Sequence, residues 1–384
     1  MKILAIDTSC DETAAAVVDG RRVLSNVIYS QVLIHKKWGG VVPSLAKRAH
    51  EERIDFVVDE ALRHSGKRTK FAHPESLLDS GQARMTTIQA IAITQGPGLA
   101  VALEVGIKKA KELAKKYNKR LIAVNHLEGH IYSAFVQNSQ GNPKINFKFP
   151  YLALIISGGH TEFVKFNDHL KYNVIGSTLD DAAGEALDKV AKLLGLGYPG
   201  GPVIERLARD VHNKDFYIFP RPMLKSNDLN FSFSGLKTSF YYFVTRRHSG
   251  KAEGRVQNLH NDSGVAFAES DSATLPRMTD DLRRLCSSFQ EAVFDTIIKK
   301  TEKAMRQTGI NRLVIGGGVI ANLRLRQLFR KLVDRHRGEV LFPTYKYLTG
   351  DNAAMIGAAA SYKAEKELFV KDIDELDRIP RLNL

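Results

Sequence analysis

Ile3-Leu4-Ala5-Ile6-Asp7-Thr8-Ser9-Cys10-Asp11-Glu12-Thr13-Ala14-Ala15-Ala16-Val17-Val18 is an apolar run, a polar bend and an apolar run back. The first run has strand length and ends in a carboxylate and a hydroxyl, the second leads to the turn Asp19-Gly20, and a third strand starts near Val23. Far downstream the pattern returns: Tyr151 to Ile156 is apolar, Ser157-Gly158-Gly159-His160-Thr161 is the bend, and Glu162 to Phe166 runs back. A strand, a polar bend and a returning strand, met twice, predict an internally duplicated α/β fold.

Outside the hairpins the apolar periodicity is mostly helical. Gly39-Gly40-Val41-Val42-Pro43-Ser44 closes a basic loop (His35, Lys36, Lys37) and opens a helix through Lys47, Arg48 and His50. Ile88 to Thr94 is a strand, and Gln95-Gly96-Pro97-Gly98 turns into a helix with Leu99, Leu103, Ile107, Ala110 and Ala114 inward. Leu121 to Val124 is a strand, Asp180 to Leu194 a helix opened by two acids, and a further helix lies near Glu205. Phe231 to Thr238 reads as a buried strand with a turn, Thr279 to Gln307 as a helix, and Arg312 to Ile315 as a strand. Val319 to Asn322 then starts a helix, and Ala353 the last one. Residues 64–87 and 245–277 are polar and read as insertions. The predicted lobes are 1–124 with 350–384, and 125–349.

A chain of 384 residues, 43% of them hydrophobic, has ample core for two or three domains. Two cysteines, Cys10 and Cys286, make no disulfide framework and point to a reducing compartment. No stretch approaches the roughly 20 apolar residues of a membrane span, and Met1-Lys2 leads straight into a strand, so the expected location is cytoplasmic with no membrane partner. The formal net charge is +14 and the pI about 9.6, a field that gathers polyanions, nucleic acid foremost, although many basic proteins gain only solubility from such charge. There is no Cys-x-x-Cys knuckle and no aromatic RNA-reading run.

Glycine concentrates in three bends: Ser157-Gly158-Gly159, Pro199-Gly200-Gly201 and Gly316-Gly317-Gly318. Such backbone lets N–H groups approach an anion with no side chain in the way. Neither a Walker A motif nor a strand-borne G-x-G-x-x-G is present, so neither P-loop nor Rossmann nucleotide binding is indicated. Phosphate bends on duplicated halves instead suggest the actin-like ATPase architecture (ASKHA, RNase H-like), two lobes around a central cleft.

After the strand Leu121 to Val124 comes Asn125-His126-Leu127-Glu128-Gly129-His130. Imidazoles four apart on a helix share one face and can share one ion, though an isolated pair of this kind more often sits on a wet surface. Asp351, after Thr349-Gly350 and just ahead of a helix, is the candidate third ligand, and two imidazoles with one carboxylate suit iron or zinc. A metallopeptidase is the natural rival. Its general base directly follows the first histidine, however, where this chain has Leu127; Glu128 is rotated about 100 degrees further round the helix.

Taken together, ten motifs resemble the TsaD family of tRNA threonylcarbamoyladenosine transferases, once called O-sialoglycoprotein endopeptidases. They are Asp7 to Thr13, Gly39 to Pro43, Thr94 to Leu99, Asn125 to His130, Ser157 to Thr161, Asp180 to Ala186, Tyr198 to Pro202, Phe231 to Thr238, Gly316 to Val319 and Thr349 to Asn352, in order over nearly the whole chain. The resemblance implies transfer of the threonylcarbamoyl group of threonylcarbamoyl-AMP to N6 of adenosine 37 in tRNAs reading ANN codons. It implies a divalent metal, iron or zinc, on His126, His130 and Asp351, and a cleft that could also take ATP or ADP. By the same resemblance Ile155, Ile156, Ser157, Gly158 and Gly159 contact the adenylate, Asp188 and Glu205 the ribose, Gly201 the nucleotide and Asn322 the base. Asp11 or Glu12 would take the amine proton, with a solvated acid pair at a turn as the equal alternative. Implied partners are tRNA, TsaB, TsaE and the synthase that supplies threonylcarbamoyl-AMP. The other classes left open are a metallopeptidase and a non-catalytic nucleotide-binding scaffold. Ser44, Trp38 and Ala100-Val101 depart from the family pattern at places that bear on tRNA or partner contacts. The two insertions either extend a basic tRNA face or decorate the surface.

Overall fold

The computed structural model describes residues 1–65, 84–249 and 275–384, with side chains at 246–249 and 275–279 left aside. Two five-stranded sheets organise it. The first holds β1 (Lys2–Asp7), β2 (Glu12–Asp19), β3 (Arg22–Ser30), β4 (Ala90–Gly96) and β5 (Arg120–Asn125), in the order β3-β2-β1-β4-β5. The second holds β6 (Tyr151–Ile156), β7 (Thr161–Asp168), β8 (Lys171–Ser177), β9 (Arg312–Gly316) and β10 (Glu339–Leu341), in the order β10-β9-β6-β7-β8. In each sheet the first three strands pair antiparallel and the remaining two join parallel, so the second sheet repeats the first strand for strand. Both opening hairpins turn through four residues, 8–11 and 157–160. The duplication expected from the sequence is present.

Besides one turn of helix at Val32–His35, the helices among the described residues are α1 (Pro43–His64), α2 (Ala100–Lys116), α3 (His126–Tyr132), α4 (Ala183–Leu193), α5 (Gly200–Asp210), α6 (Ser234–Ser249), α7 (Leu275–Thr308), α8 (Leu323–Arg335) and α9 (Ala353–Glu365). Period-two alternation sorts each strand between two cores. Leu4 and Ile6 of β1 face an outer core with α1 and α2, and Leu152, Leu154 and Ile156 of β6 face the other outer core with α4, α6 and α7. Ile3, Ala5, Tyr151, Ala153 and Ile155 face inward, where α3 and α9 fill the space between the sheets. From Ala353 to Ser361 every residue of α9 is buried, as a helix covered on all sides requires. Gly357 lets it close on the first sheet, since a Cβ there would stand 2.7 Å from a Val18 methyl. The C-terminal segment returns over the first sheet, where Ile379 N donates to Gln95 O and Asn125 Nδ2 to Asn383 O.

Several expectations are corrected. The helix expected at Asp180 begins at Ala183, because the two acids serve other elements: Asp180 Oδ1 accepts from Phe233 N at 2.8 Å and Ser234 N at 3.2 Å, and Asp181 pairs with Lys189 and Lys237. That carboxylate opens α6, so the predicted strand over Phe231 to Thr238 is one bridge from Phe231 to Thr178 followed by helix from Ser234. Asp180→Ala should cost about 1 kcal/mol, read as a lower urea midpoint with unchanged slope. The helix predicted from Val319 is a 3-10 turn over Gly318–Ala321, after which Asn322 Oδ1 accepts from Leu325 N and starts α8. The insertion limits move inward, because α1 runs on to His64, α6 through Ser249, and α7 opens at Leu275 with Pro276 in its first turn. The interiors of both insertions, 66–83 and 250–274, lie outside the described residues.

Candidate metal and nucleotide site

Both duplicated bends and the starts of the two inner helices meet at one place. The helix α3 begins where Asn125 Oδ1 accepts from Leu127 N at 2.8 Å, and α9 where Asn352 Oδ1 accepts from Met355 N at 3.1 Å. These caps set His126 and His130 opposite Asp351. Each imidazole presents Nε2 at 3.4 Å from Asp351 Oδ1, and the rings stand edge to face with centroids 4.6 Å apart. Such gaps are long for hydrogen bonds. They match the roughly 3.4 Å between donor atoms on a tetrahedral ion with bonds near 2.0–2.1 Å. His130 Nε2 is buried with no hydrogen-bond partner, which a cation between the three side chains would relieve. The residues fit a metal.

Electrostatics agree. Burial opposes a charge on His126, yet the carboxylates of Asp351 and Asp7 outweigh it and hold the imidazole up at about 10. His130 is pushed down, by burial first. Burial also opposes ionisation of Asp351, but the two imidazoles more than offset it and keep the carboxyl far below the usual range. The cluster is thus built to enclose one positive charge. His160, pushed down to about 4 by burial and then by His126 and His130, stands at the edge of that field.

A cavity of about 690 Å³ opens over this cluster, lined by Asp11, Glu12, His126, Ser157, Gly158, Gly159, Asp188 and Asp351 among others. It adjoins a second of about 340 Å³ that shares Asp11, Glu12, Gly158 and Asp188 and adds Gly201, Glu205 and Asn322. A Cβ at Gly158, Gly159, Gly201 or Gly318 would meet nothing within 4 Å, so these glycines leave room in the cavity. Asp188 Oδ1 accepts from Gly200 N and Gly201 N, at 2.7 and 3.2 Å, and Glu205 Oε1 accepts from Leu323 N at 2.8 Å. Each keeps a second oxygen for a ligand. Asn322 is more committed, its Nδ2 donating to Gln290 Oε1 while Oδ1 caps α8. Ile155 and Ile156 line neither cavity, since their side chains lie in the middle and outer cores. Burial, then Asp11 and Asp351, push the Glu12 carboxyl well above its usual range, and burial also raises Asp188.

Two contributors, His50 and Asp7, lie outside the predicted site residues. His50 Nε2 donates to Cys10 O at 3.0 Å, which leaves Nδ1 to accept from the Thr13 hydroxyl at 2.7 Å, so one ring from α1 clamps both sides of the first bend. Asp7 lies with Oδ2 at 3.5 Å from His126 Nδ1. Glu128, on the far side of α3 from the cavity, accepts from Tyr172 Oη at 2.6 Å and lies 3.0 Å from Lys363 Nζ. A hydrolytic base at Glu128 is therefore excluded by position, as its rotation around the helix predicted.

A family model described as TsaD, tRNA N6-adenosine threonylcarbamoyltransferase, matches residues 22–358. The chain belongs to the TsaD family. TsaD relatives carrying that same description include one from Syntrophotalea carbinolica, 43% identical over 360 residues, covering 94% of this chain and 90% of that one. Another, from Endomicrobium trichonymphae, is 43% identical over 385 residues, covering 100% and 98%. A third, from Anaeromyxobacter sp. (strain Fw109-5), is 44% identical over 363 residues, covering 94% of each. Among solved structures, full-length HypF in its phosphate- and nucleotide-bound form superposes with a TM-score of 0.53 at 13% identity, covering 96% of this chain and 55% of that one. That likeness concerns fold alone, and with the strand-for-strand duplication it gives this TsaD chain the two-lobed actin-like architecture. As a TsaD member the chain is a transferase. No helix among its described residues is long and apolar enough to cross a membrane.

Proposed function

We propose that this protein transfers the threonylcarbamoyl group of threonylcarbamoyl-AMP to N6 of adenosine 37 in tRNAs reading ANN codons, between lobes formed by residues 1–124 with 350–384 and by 125–349. The observation that carries it is the cluster of buried His126 and His130 with half-buried Asp351 opening into a glycine-lined cavity, with both duplicated bends at its rim. A divalent ion held there, iron or zinc, would supply positive charge to the carbamoyl oxygen as negative charge develops on it. The residues of the chain do the rest. Gly158, Gly159 and Gly201 leave space for the adenylate, while the uncommitted oxygens of Asp188 and Glu205 suit two ribose hydroxyls. Asn322 can still offer the base the second hydrogen of its amide.

As N6 bonds to the carbamoyl carbon, the bond from that carbon to the adenylate oxygen breaks and AMP leaves. The amine must then lose a proton, and the bend bearing Asp11 and Glu12 takes it. Glu12, with its raised carboxyl, is the better base once ionised. The +14 charge favours encounter with tRNA, the proposed acceptor. TsaB, TsaE and the synthase that makes the adenylate are the proposed partners, and ATP or ADP a further ligand of the cleft.

Incubation with tRNA, threonine, bicarbonate, ATP, those partners and the synthase should yield the modified nucleoside on digestion of the tRNA. Cleavage of a glycoprotein with no modified tRNA would overturn the proposal in favour of a peptidase. Gly159→Ala should leave the melting temperature unchanged, since its Cβ meets nothing, yet raise the KM for the adenylate by filling the space where it lies. Equal KM values in a steady-state assay would place the adenylate elsewhere.

A further inference from the structure

Asp7 ends β1 with its side chain 1% exposed, and it lines neither cavity. Its Oδ1 accepts from Ser9 N at 3.1 Å, the hydrogen bond that shapes the first bend. Its Oδ2 has no hydrogen-bond partner and faces His126 Nδ1, equally without one, across 3.5 Å. Two buried polar atoms lacking partners and aimed at each other form a pair that a shift of about 0.6–0.8 Å completes, to the roughly 2.7–2.9 Å of a charge-assisted bond. Asp7 pairs with Ala14 of β2, and Ile6 before it pairs with both β2 and β4, so the movable member is the imidazole.

We propose that Asp7 is a positioning residue for His126: its Oδ2 accepts the Nδ1 hydrogen, fixing the ring in the tautomer whose Nε2 lone pair points at Asp351 and the cation site. A ring hydrogen donated to a carboxylate both orients a ligating imidazole and makes its other nitrogen a stronger donor. The same side chain joins the first hairpin to the inner helix α3, so bend and metal cluster are set by one residue. This inference rests on the metal reading of the cluster.

The test compares wild type, Asp7→Asn and His126→Ala for binding of Zn²⁺ by calorimetry and of Co²⁺ by its visible spectrum, alongside the metal-free melting temperature. Asparagine keeps an acceptor for Ser9 N, so a role confined to the bend predicts no change in metal binding. Positioning predicts affinity roughly 10–100-fold weaker in Asp7→Asn with an altered Co²⁺ spectrum. If His126→Ala loses metal while Asp7→Asn binds within about twofold of wild type, the positioning role falls and the metal site stands. If His126→Ala binds as tightly as wild type, the metal site falls and the role of Asp7 with it. Should Asp7→Asn not fold, nitrogen-15 spectra of histidine-labelled, zinc-loaded wild type decide: a protonated Nδ1 and ligated Nε2 on His126 are expected, and the reverse overturns the proposal.

Discussion

Asp351→Ala protein should fold and still bind tRNA, yet transfer the threonylcarbamoyl group about a thousandfold more slowly or worse. Its carboxylate faces both imidazoles, at 3.4 Å from each Nε2. Without it the site loses the anionic ligand that holds a cation against the pull of water. Charge stabilisation of several kcal/mol is at stake, and each ~1.4 kcal/mol is a factor of ten in rate. Removing the carboxylate leaves His130 able to stay neutral and His126 still facing the buried Asp7 carboxylate, so no charge is buried without a partner and the fold should survive. Single-turnover transfer together with elemental analysis for metal checks both halves. A variant with wild-type turnover and no bound metal would remove the cation from the chemistry.

Gly316→Ala should be the more damaging change to the fold. An added Cβ would stand 2.3 Å from the carbonyl oxygen of His130 and 2.8 Å from its carbon, backbone against backbone. Neither side can yield cheaply, because β9 is paired to β6 and β10 while α3 is buried between the sheets. A loss on the order of 3 kcal/mol is expected, as for overpacking in a dense core, together with weaker metal binding because His130 is itself the displaced residue. Gly318→Ala is the internal comparison. Its Cβ meets nothing within 4 Å, so denaturant midpoints should separate the two variants clearly.

That pair also marks how far the sequence could be read. In a run of three identical glycines nothing distinguishes the members, and the bend as a whole was expected to cradle phosphate. The structure gives each its own reason. Gly316 admits the backbone of α3; Gly317 has φ of 93° and would put a Cβ 2.4 Å from Ile156 O; Gly318 alone lines the cavities. What was legible was local or periodic: the repeated strand, bend and strand of the hairpins, the histidine spacing and the acid ahead of the last helix. What stayed hidden depends on distant partners. Asp180 opens a helix 54 residues on, His50 clamps a bend 40 residues back, and Asp7 meets an imidazole from another strand's end. Short polar residues beside a strand or helix announce that they will bond to something, never to what.

The central layer carries a consequence of its own. Because α3 and α9 lie between the sheets and seal the inward face of each, each half keeps its own outer core but neither closes its inward face alone. A chain cut between the halves would leave one piece displaying an alanine-lined face and the other its bare aromatic counterpart, both prone to stick. Mixed together, the fragments would have every reason to find each other, and the return of metal binding would report their reunion.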